Sequence, residues 1–346
     1  MQYLRNPCVV VIALLVLLEV GFRLVDQERL LAYYPNNEEM FTLKHSLDIH
    51  NGATDICFMG SSRAKEGIVV PVFKSAVELG LGKEVQVANY ACVGAKTTEV
   101  LAIMRYIAKK ASRPQLIFYG VSPRQFLGET VSLERASIFM DFVDWRRSRE
   151  LYQAEPEINL IPNLIRNQLS ELSVFFKYRK KFSHEAMAFA AKILSNEDRL
   201  YTSIKGEMTR YQVKYPEMSL VSRPISDAVV RRYLGGLSVN GRYPMAEINF
   251  VFLSKMLALA DDLGCRVILF EVPVSDILKK HYPSGTYATF LEKTRAVAVT
   301  NNTSFYTANE LGLVFTEKHF REQSHLNLVG ATMLSKRLAQ LAIAEE

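Results

Sequence analysis

Phe58-Met59-Gly60-Ser61-Ser62-Arg63 closes an apolar run in the first quarter of the chain, and Glu322-Gln323-Ser324-His325-Leu326-Asn327 lies near its end, just before a helical pattern. A small residue and two hydroxyls at a strand tip, with a carboxylate and a histidine three apart on a distant segment, are the parts of an activated serine nucleophile. In that chemistry His325 takes the proton of the Ser62 hydroxyl as it attacks an acyl carbon. Glu322 fixes the imidazole tautomer and stabilises the imidazolium. The spacing of three makes Glu322 and His325 neighbours if the segment is one helical turn.

Two further strand ends offer groups to the same chemistry. Asn89-Tyr90-Ala91-Cys92-Val93-Gly94 closes a second apolar run, and Gly94 can bring its backbone N–H close to a reacting oxygen. Gly120-Val121-Ser122-Pro123-Arg124 closes a third, with a hydroxyl at Ser122 and a guanidinium at Arg124. Arg63 and Arg124 flank the expected pocket and are candidates to hold a phosphate or a carboxylate. A metal site is the rival reading, because His319, Glu322 and His325 are spaced three and three. On a helix, positions six apart are turned by about 240°, so the two histidines cannot share one face. No metal and no cofactor is expected.

These groups need a scaffold that brings distant strand ends to one edge. Buried-strand runs recur at 55–59, 85–89, 115–119, 266–271 and 304–306, and helical patterns alternate with them at 71–79, 98–110, 245–263, 287–299 and 328–344. Pro71 in a first turn, Gly80 and Gly264 just past helix ends, and Asn327 as an N-cap mark the boundaries. Strands alternating with helices predict an α/β fold with a parallel sheet covered on both faces. In such folds active residues gather at the carboxyl ends of the strands. The alternation breaks between about 126 and 244, read as a mostly helical insertion in a domain that runs from 54 to 346. Within it, Phe175-Phe176-Lys177-Tyr178-Arg179-Lys180-Lys181-Phe182 interleaves bulky and basic residues, as a partly buried helix with a solvated basic face would.

The 346 residues, 49% hydrophobic and 23% charged, can bury a sizeable core. The net charge of +6, from 42 basic and 36 acidic residues, is spread along the chain and forms no block of the nucleic-acid-binding kind. Cys8 to Leu18 are uninterruptedly apolar, and weaker apolar character continues to Val25. A spanning helix needs about 20 apolar residues, so residues 1–30 read as a borderline signal anchor in contact with membrane lipid through 8–25. Arg5 before the run favours a cytoplasmic N-terminus and an extracytoplasmic domain, and no small-residue cleavage site follows it. Glu19 and Arg23, four apart, can pair near the interface. Cys8, Cys57, Cys92 and Cys265 have no metal-type spacing and read as small buried hydrophobes.

Taken together, the blocks resemble the SGNH (GDSL-type) hydrolases and acyltransferases. Gly60-Ser61-Ser62 is similar to the first block of that family with Ser in place of the usual Asp. Gly94 matches the second-block glycine, Gly120-Val121-Ser122 the third block, where Asn is general, and Glu322-Gln323-Ser324-His325 the Asp-x-x-His block. The resemblance implies a flavodoxin-like three-layer α/β/α sheet, with Ser62 as nucleophile, His325 as base and Glu322 as orienter. The Ser62 and Gly94 N–H groups, with Ser122, would line an oxyanion hole. Together with the N-terminal anchor, it is nearest to a membrane-anchored branch that includes teichoic-acid D-alanylation and alginate O-acetylation proteins. It implies transfer or hydrolysis of a small acyl group on a cell-surface glycopolymer, beside a membrane-bound O-acyltransferase. A scaffold with a degraded serine site, binding polymer or that partner, is the competing expectation.

Overall fold

The structure is a computed structural model and describes residues 13–14, 16–17, 19–21, 38–49, 54–128, 133–136, 139, 226–235 and 244–345. Most of the expected anchor, the basic segment 175–182 and most of the insertion lie outside these residues. Among the described residues no helix is long and apolar enough to cross a membrane. The chain divides into two compact units, Met1–Thr42 with Leu133–Arg210, and Leu43–Ser132 with Tyr211–Glu346. The second unit carries the sheet.

Five parallel strands form that sheet: β1 (Ile56–Gly60), β2 (Val87–Asn89), β3 (Leu116–Val121), β4 (Arg266–Glu271) and β5 (Ser304–Tyr306), in the order β2-β1-β3-β4-β5. Every residue of β1 and β3 is buried, as a sheet covered on both faces requires. On one face Phe58, Phe118 and Phe270 pack with Phe73, with ring centroids 4.8 to 6.5 Å apart. The alternating residues Cys57, Met59, Ile117 and Leu269 are equally buried and point the other way. Strand order reverses direction between β1 and β3, which makes their carboxyl ends a crevice for a ligand.

The helices follow in chain order: α1 (Glu38–Ile49), α2 (Ser62–Gly67), α3 (Val70–Leu81), α4 (Thr97–Ile107), α5 (Asp227–Gly235), α6 (Glu247–Asp262), α7 (Asp276–His281), α8 (Thr286–Thr300) and α9 (Leu328–Glu345). Helices α3 and α9 pack together and supply Phe73, Val77, Leu334 and Leu338 to the phenylalanine face. Helices α4 and α6 pack together, with contacts to β1 and β4. Ahead of the sheet, Lys44 and Asp48 of α1, four apart, form an ion pair, while Lys110 and Tyr106 of the α4 region bond the same Asp48 carboxylate. Burial pushes the Asp48 carboxyl up, but Lys110, Tyr106 and Lys44 outweigh it and hold it below the ordinary aspartate range.

One boundary differs from expectation for a steric reason. Helix α3 runs through Gly80 to Leu81 and stops at Gly82, which takes the left-handed conformation at φ +66°. Gly80 instead makes room for α9, since a Cβ there would lie 2.3 Å from Ile343 Cδ1. The ends of the insertion meet: Leu127 bridges Met245, Gly128 N–H donates to Pro244 O at 3.0 Å, and Ala246 N–H to Phe126 O at 2.8 Å. Cys57, Cys92 and Cys265 are free thiols. Burial pushes the Cys57 thiol well up, with Cys265 adding to the effect, which makes it inert.

Candidate active site

The geometry begins with glycine. Gly60 ends β1 at φ +143°, and a Cβ there would lie 2.7 Å from both Ala64 Cβ and Gly120 O. Gly120 on β3 is equally crowded, its virtual Cβ 2.7 Å from Val272 Cγ2 and 2.8 Å from Ala64 Cβ. Two bare strand ends thus let α2 turn sharply over the sheet, and the close approach sets the position of Ser62 at its first residue. Asn89, at the end of β2, steadies the turn from the side: its Nδ2 donates to Lys65 O at 3.2 Å and its Oδ1 accepts from Ala91 N–H at 3.1 Å.

Glu322 and His325 meet by a route other than a helical turn. They lie on β6 (Phe320–Glu322) and β7 (His325–Leu326), an antiparallel hairpin in which Glu322 pairs directly with His325 across Gln323 and Ser324. Phe320 and Leu326 also pair, and both enter the core beneath α9, so the segment is held extended by two buried anchors. Asn327 follows as the N-cap of α9, its Oδ1 accepting from Val329 N–H at 3.0 Å and Gly330 N–H at 3.1 Å. Gly330 is bare because a Cβ would lie 2.5 Å from His319 O.

Across this arrangement His325 Nε2 stands 2.9 Å from Ser62 Oγ, while Nδ1 bonds Glu322 Oε1. With a carboxylate on Nδ1, that nitrogen carries the proton and Nε2 is free to accept from the serine hydroxyl. Ser324 completes the shell: its Oγ donates to Glu322 at 3.1 Å and lies 3.1 Å from Nδ1, and its N–H donates to Glu322 Oε2 at 3.2 Å. Burial pushes the Glu322 carboxyl up, but the bond and charge of His325 and the two Ser324 donors outweigh it, so it sits below the ordinary glutamate range. The carboxylate is therefore ionised wherever the histidine has to gain a proton.

Two ties hold the hairpin to its surroundings, and one closes its base. Arg321 Nη2 lies 2.6 Å from Glu66 Oε2, with both side chains mostly buried. Glu66 is four residues after Ser62 on α2, so one face of that helix grips the hairpin twice, at His325 and at Arg321. Gln323 O accepts from Ser275 N–H at 3.2 Å, and Asn327 N–H donates to His319 O at 2.9 Å. His319 Nδ1 accepts from Thr316 N–H at 2.9 Å, which places that histidine in the local turn.

The remaining expected site residues divide. Gly94 lies in the turn after β2 at φ +69°, in a segment joined to β1 by Cys92 N–H donating to Gly60 O at 3.0 Å. Ser122 is wholly buried, and both its N–H, at 2.9 Å, and its Oγ, at 3.5 Å, are directed to Gln125 Oε1 within a short turn, so its donors are engaged there. Arg63 is also buried, its Nη2 bonding Tyr233 Oη on α5. Arg124 is exposed, with its guanidinium 5.1 Å from the centroid of the same ring. Residue types alone pick out Ser62, Glu322 and His325, whereas Ser324, Glu66, Arg321 and Tyr233 emerge only from the fold. Neither Glu66, on a helix too short to show a periodicity, nor Tyr233, inside the insertion, carries a signal in the sequence. No protein-family model matches the chain, and no curated protein matches it either.

Proposed function

We propose that the protein is a serine-dependent acyltransferase or esterase of SGNH type that forms an acyl-enzyme on Ser62. The observation that carries this reading is the continuous chain from Ser62 Oγ to His325 Nε2 at 2.9 Å and from His325 Nδ1 to Glu322. His325 accepts the hydroxyl proton as Oγ attacks the acyl carbon, and returns it to the leaving oxygen. Water, or a hydroxyl of an acceptor, then resolves the ester by the same steps in reverse. With Ser122 engaged by Gln125, the donors left for the oxyanion are the backbone N–H groups of Ser62 and Gly94, in the turns after β1 and β2.

The apolar run from Cys8 to Leu18, with Arg5 before it, supports membrane anchoring with the acyl chemistry outside the cytoplasm. A small acyl group of acetyl or D-alanyl type on a cell-surface glycopolymer, handled beside a membrane-bound O-acyltransferase, is the substrate this placement fits. Ser62→Ala and His325→Ala should each abolish acyl turnover while the protein folds and localises as before. Normal surface acylation in cells that carry either variant would refute the proposal in favour of a scaffold that binds polymer or partner.

A further inference from the structure

Beside the triad lies a group of side chains that the acyl chemistry leaves unused. Arg63 directly follows the proposed nucleophile, is 2% exposed, and its Nη1 has no hydrogen-bond partner among the described residues. Tyr282, 6% exposed, faces the Arg63 guanidinium, and its Oη likewise makes no well-formed hydrogen bond among the described residues. Leaving a buried donor of a charged group unsatisfied is costly, and native structures seldom keep one without a reason. Burial works against the Arg63 charge, but the Tyr233 and Tyr282 hydroxyls and the Glu322 carboxylate outweigh it, so the guanidinium stays ionised.

A second cation shares the place. Arg63 and Arg124 lie 5.9 and 5.1 Å from the centroid of the one Tyr233 ring. Neither has a carboxylate at ion-pair distance among the described residues. Burial disfavours the Lys96 charge and the nearby Glu99 supports it, while Arg124 is close enough to oppose it. Three cations thus lie near the carboxyl ends of β1, β2 and β3, where Glu99 offsets Lys96 and Glu322 acts on Arg63 from beyond ion-pair distance, and a bound anion would relieve the charge that Arg124 adds.

From these contacts we infer that Arg63 and Arg124, with Tyr233 and Tyr282, form an oxyanion-recognition subsite that takes a carboxylate or phosphate carried by the substrate near its acyl ester. The inference rests on the acyl-transfer reading of Ser62. A guanidinium fork binds such groups through two parallel N–H donors. In the anion-free state Tyr233 Oη accepts from Arg63 Nη2, and the Tyr282 hydroxyl lies against the same guanidinium without a well-formed bond to Nη1. Tyr233 is a placeholder: an arriving oxyanion displaces its hydroxyl, spans both Nη atoms and meets Arg124 from the exposed side. The substrate is accordingly selected by a fixed negative charge.

Two measurements on the full chain in detergent separate this inference from the reading beneath it. The first is binding of glucuronate and of glycerol phosphate to the Ser62→Ala protein, which keeps the subsite and lacks the nucleophile. One of the two should bind and compete with salt, with affinity falling at least tenfold when Arg124→Ala is added and rising severalfold with Tyr233→Phe, which removes the competing acceptor. Which of the two binds distinguishes a carboxylate from a phosphate ligand. The second is the ratio of kcat/KM for p-nitrophenyl hemisuccinate to that for p-nitrophenyl acetate, expected to fall at least tenfold in Arg124→Ala. Neither anion binding, or an unaltered ratio and affinity in Arg124→Ala, overturns the subsite even if both esters are turned over. Anion binding that follows these variants, without turnover of either ester by the wild type, sustains the subsite and refutes the acyl chemistry.

Discussion

Removing the Glu66 and Arg321 ion pair should loosen the hairpin that carries His325. The pair is 2.6 Å apart, with 15% and 28% of the side chains exposed, and so lies between a surface pair and a buried one. Surface pairs contribute about 0.2–1 kcal/mol, while deleting one partner of a buried pair costs about 3–5 kcal/mol. An intermediate burial puts each single alanine variant at about 1–3 kcal/mol of stability. The coupling energy in a double-mutant cycle should be about 1–2 kcal/mol. Ser62 and Glu66 are one helical turn apart, about 6 Å along α2, so the pair is the second of two grips on the hairpin. With it gone, the 2.9 Å approach of His325 to Ser62 depends on the remaining contacts alone. A displacement of about 1 Å at a reacting group costs on the order of 100-fold in rate. Ester hydrolysis by Glu66→Ala or Arg321→Ala should accordingly fall about 10- to 100-fold, mainly in kcat. The assay is a cycle of both singles and the double variant, with denaturant unfolding and hydrolysis of a small ester measured on each. Strict additivity in stability, together with wild-type kcat in the singles, would refute the reasoning.

Three further outcomes follow from the same contacts. Gly60→Ala introduces a Cβ 2.7 Å from Gly120 O in a conformation that L residues avoid, and should cost about 2–5 kcal/mol in denaturant unfolding while displacing Ser62. Because the Glu322 carboxyl is depressed in the folded state, its contribution to stability is complete above its unfolded pKa and is lost as pH falls through the folded one. Unfolding measured from pH 7 down to 3 should therefore show an acid loss that is smaller in Glu322→Gln, and an identical slope in the two proteins would contradict the assignment. Asn327→Ala removes the N-cap of α9 and should lower stability by about 1–2 kcal/mol, read as a shift in urea midpoint at unchanged slope.

The sheet was legible because its strands are short apolar runs bounded by helices with amphipathic spacing. The ends of β4 and β5 stand where the pattern puts them, and the αL cap at Gly264 marks the end of α6. What failed was local and cooperative. Gly80 and Gly82 are indistinguishable by residue type, and only the packing of Ile343 on Gly80 assigns the stop to Gly82. The Glu322 to His325 spacing fits a helical turn and a two-residue hairpin equally well. The choice is made by Phe320 and Leu326, which can both reach the core only when the segment is extended. Short helix α2 carries no periodicity that a pattern could detect, yet it places Ser62. Ser122 was readable as a strand-end hydroxyl, but the Gln125 side chain that engages it lies three residues on, in a turn that sequence spacing alone does not reveal.

The central claim is that Ser62 is a nucleophile activated by His325. Mass spectrometry of the full-length protein after reaction with a fluorophosphonate tests it most directly. A single covalent adduct on Ser62, absent in Ser62→Ala and formed at least a hundredfold more slowly in His325→Ala, is the expected result. No adduct, an adduct on Ser61, or labelling of Ser62 at the same rate without His325 would contradict the account.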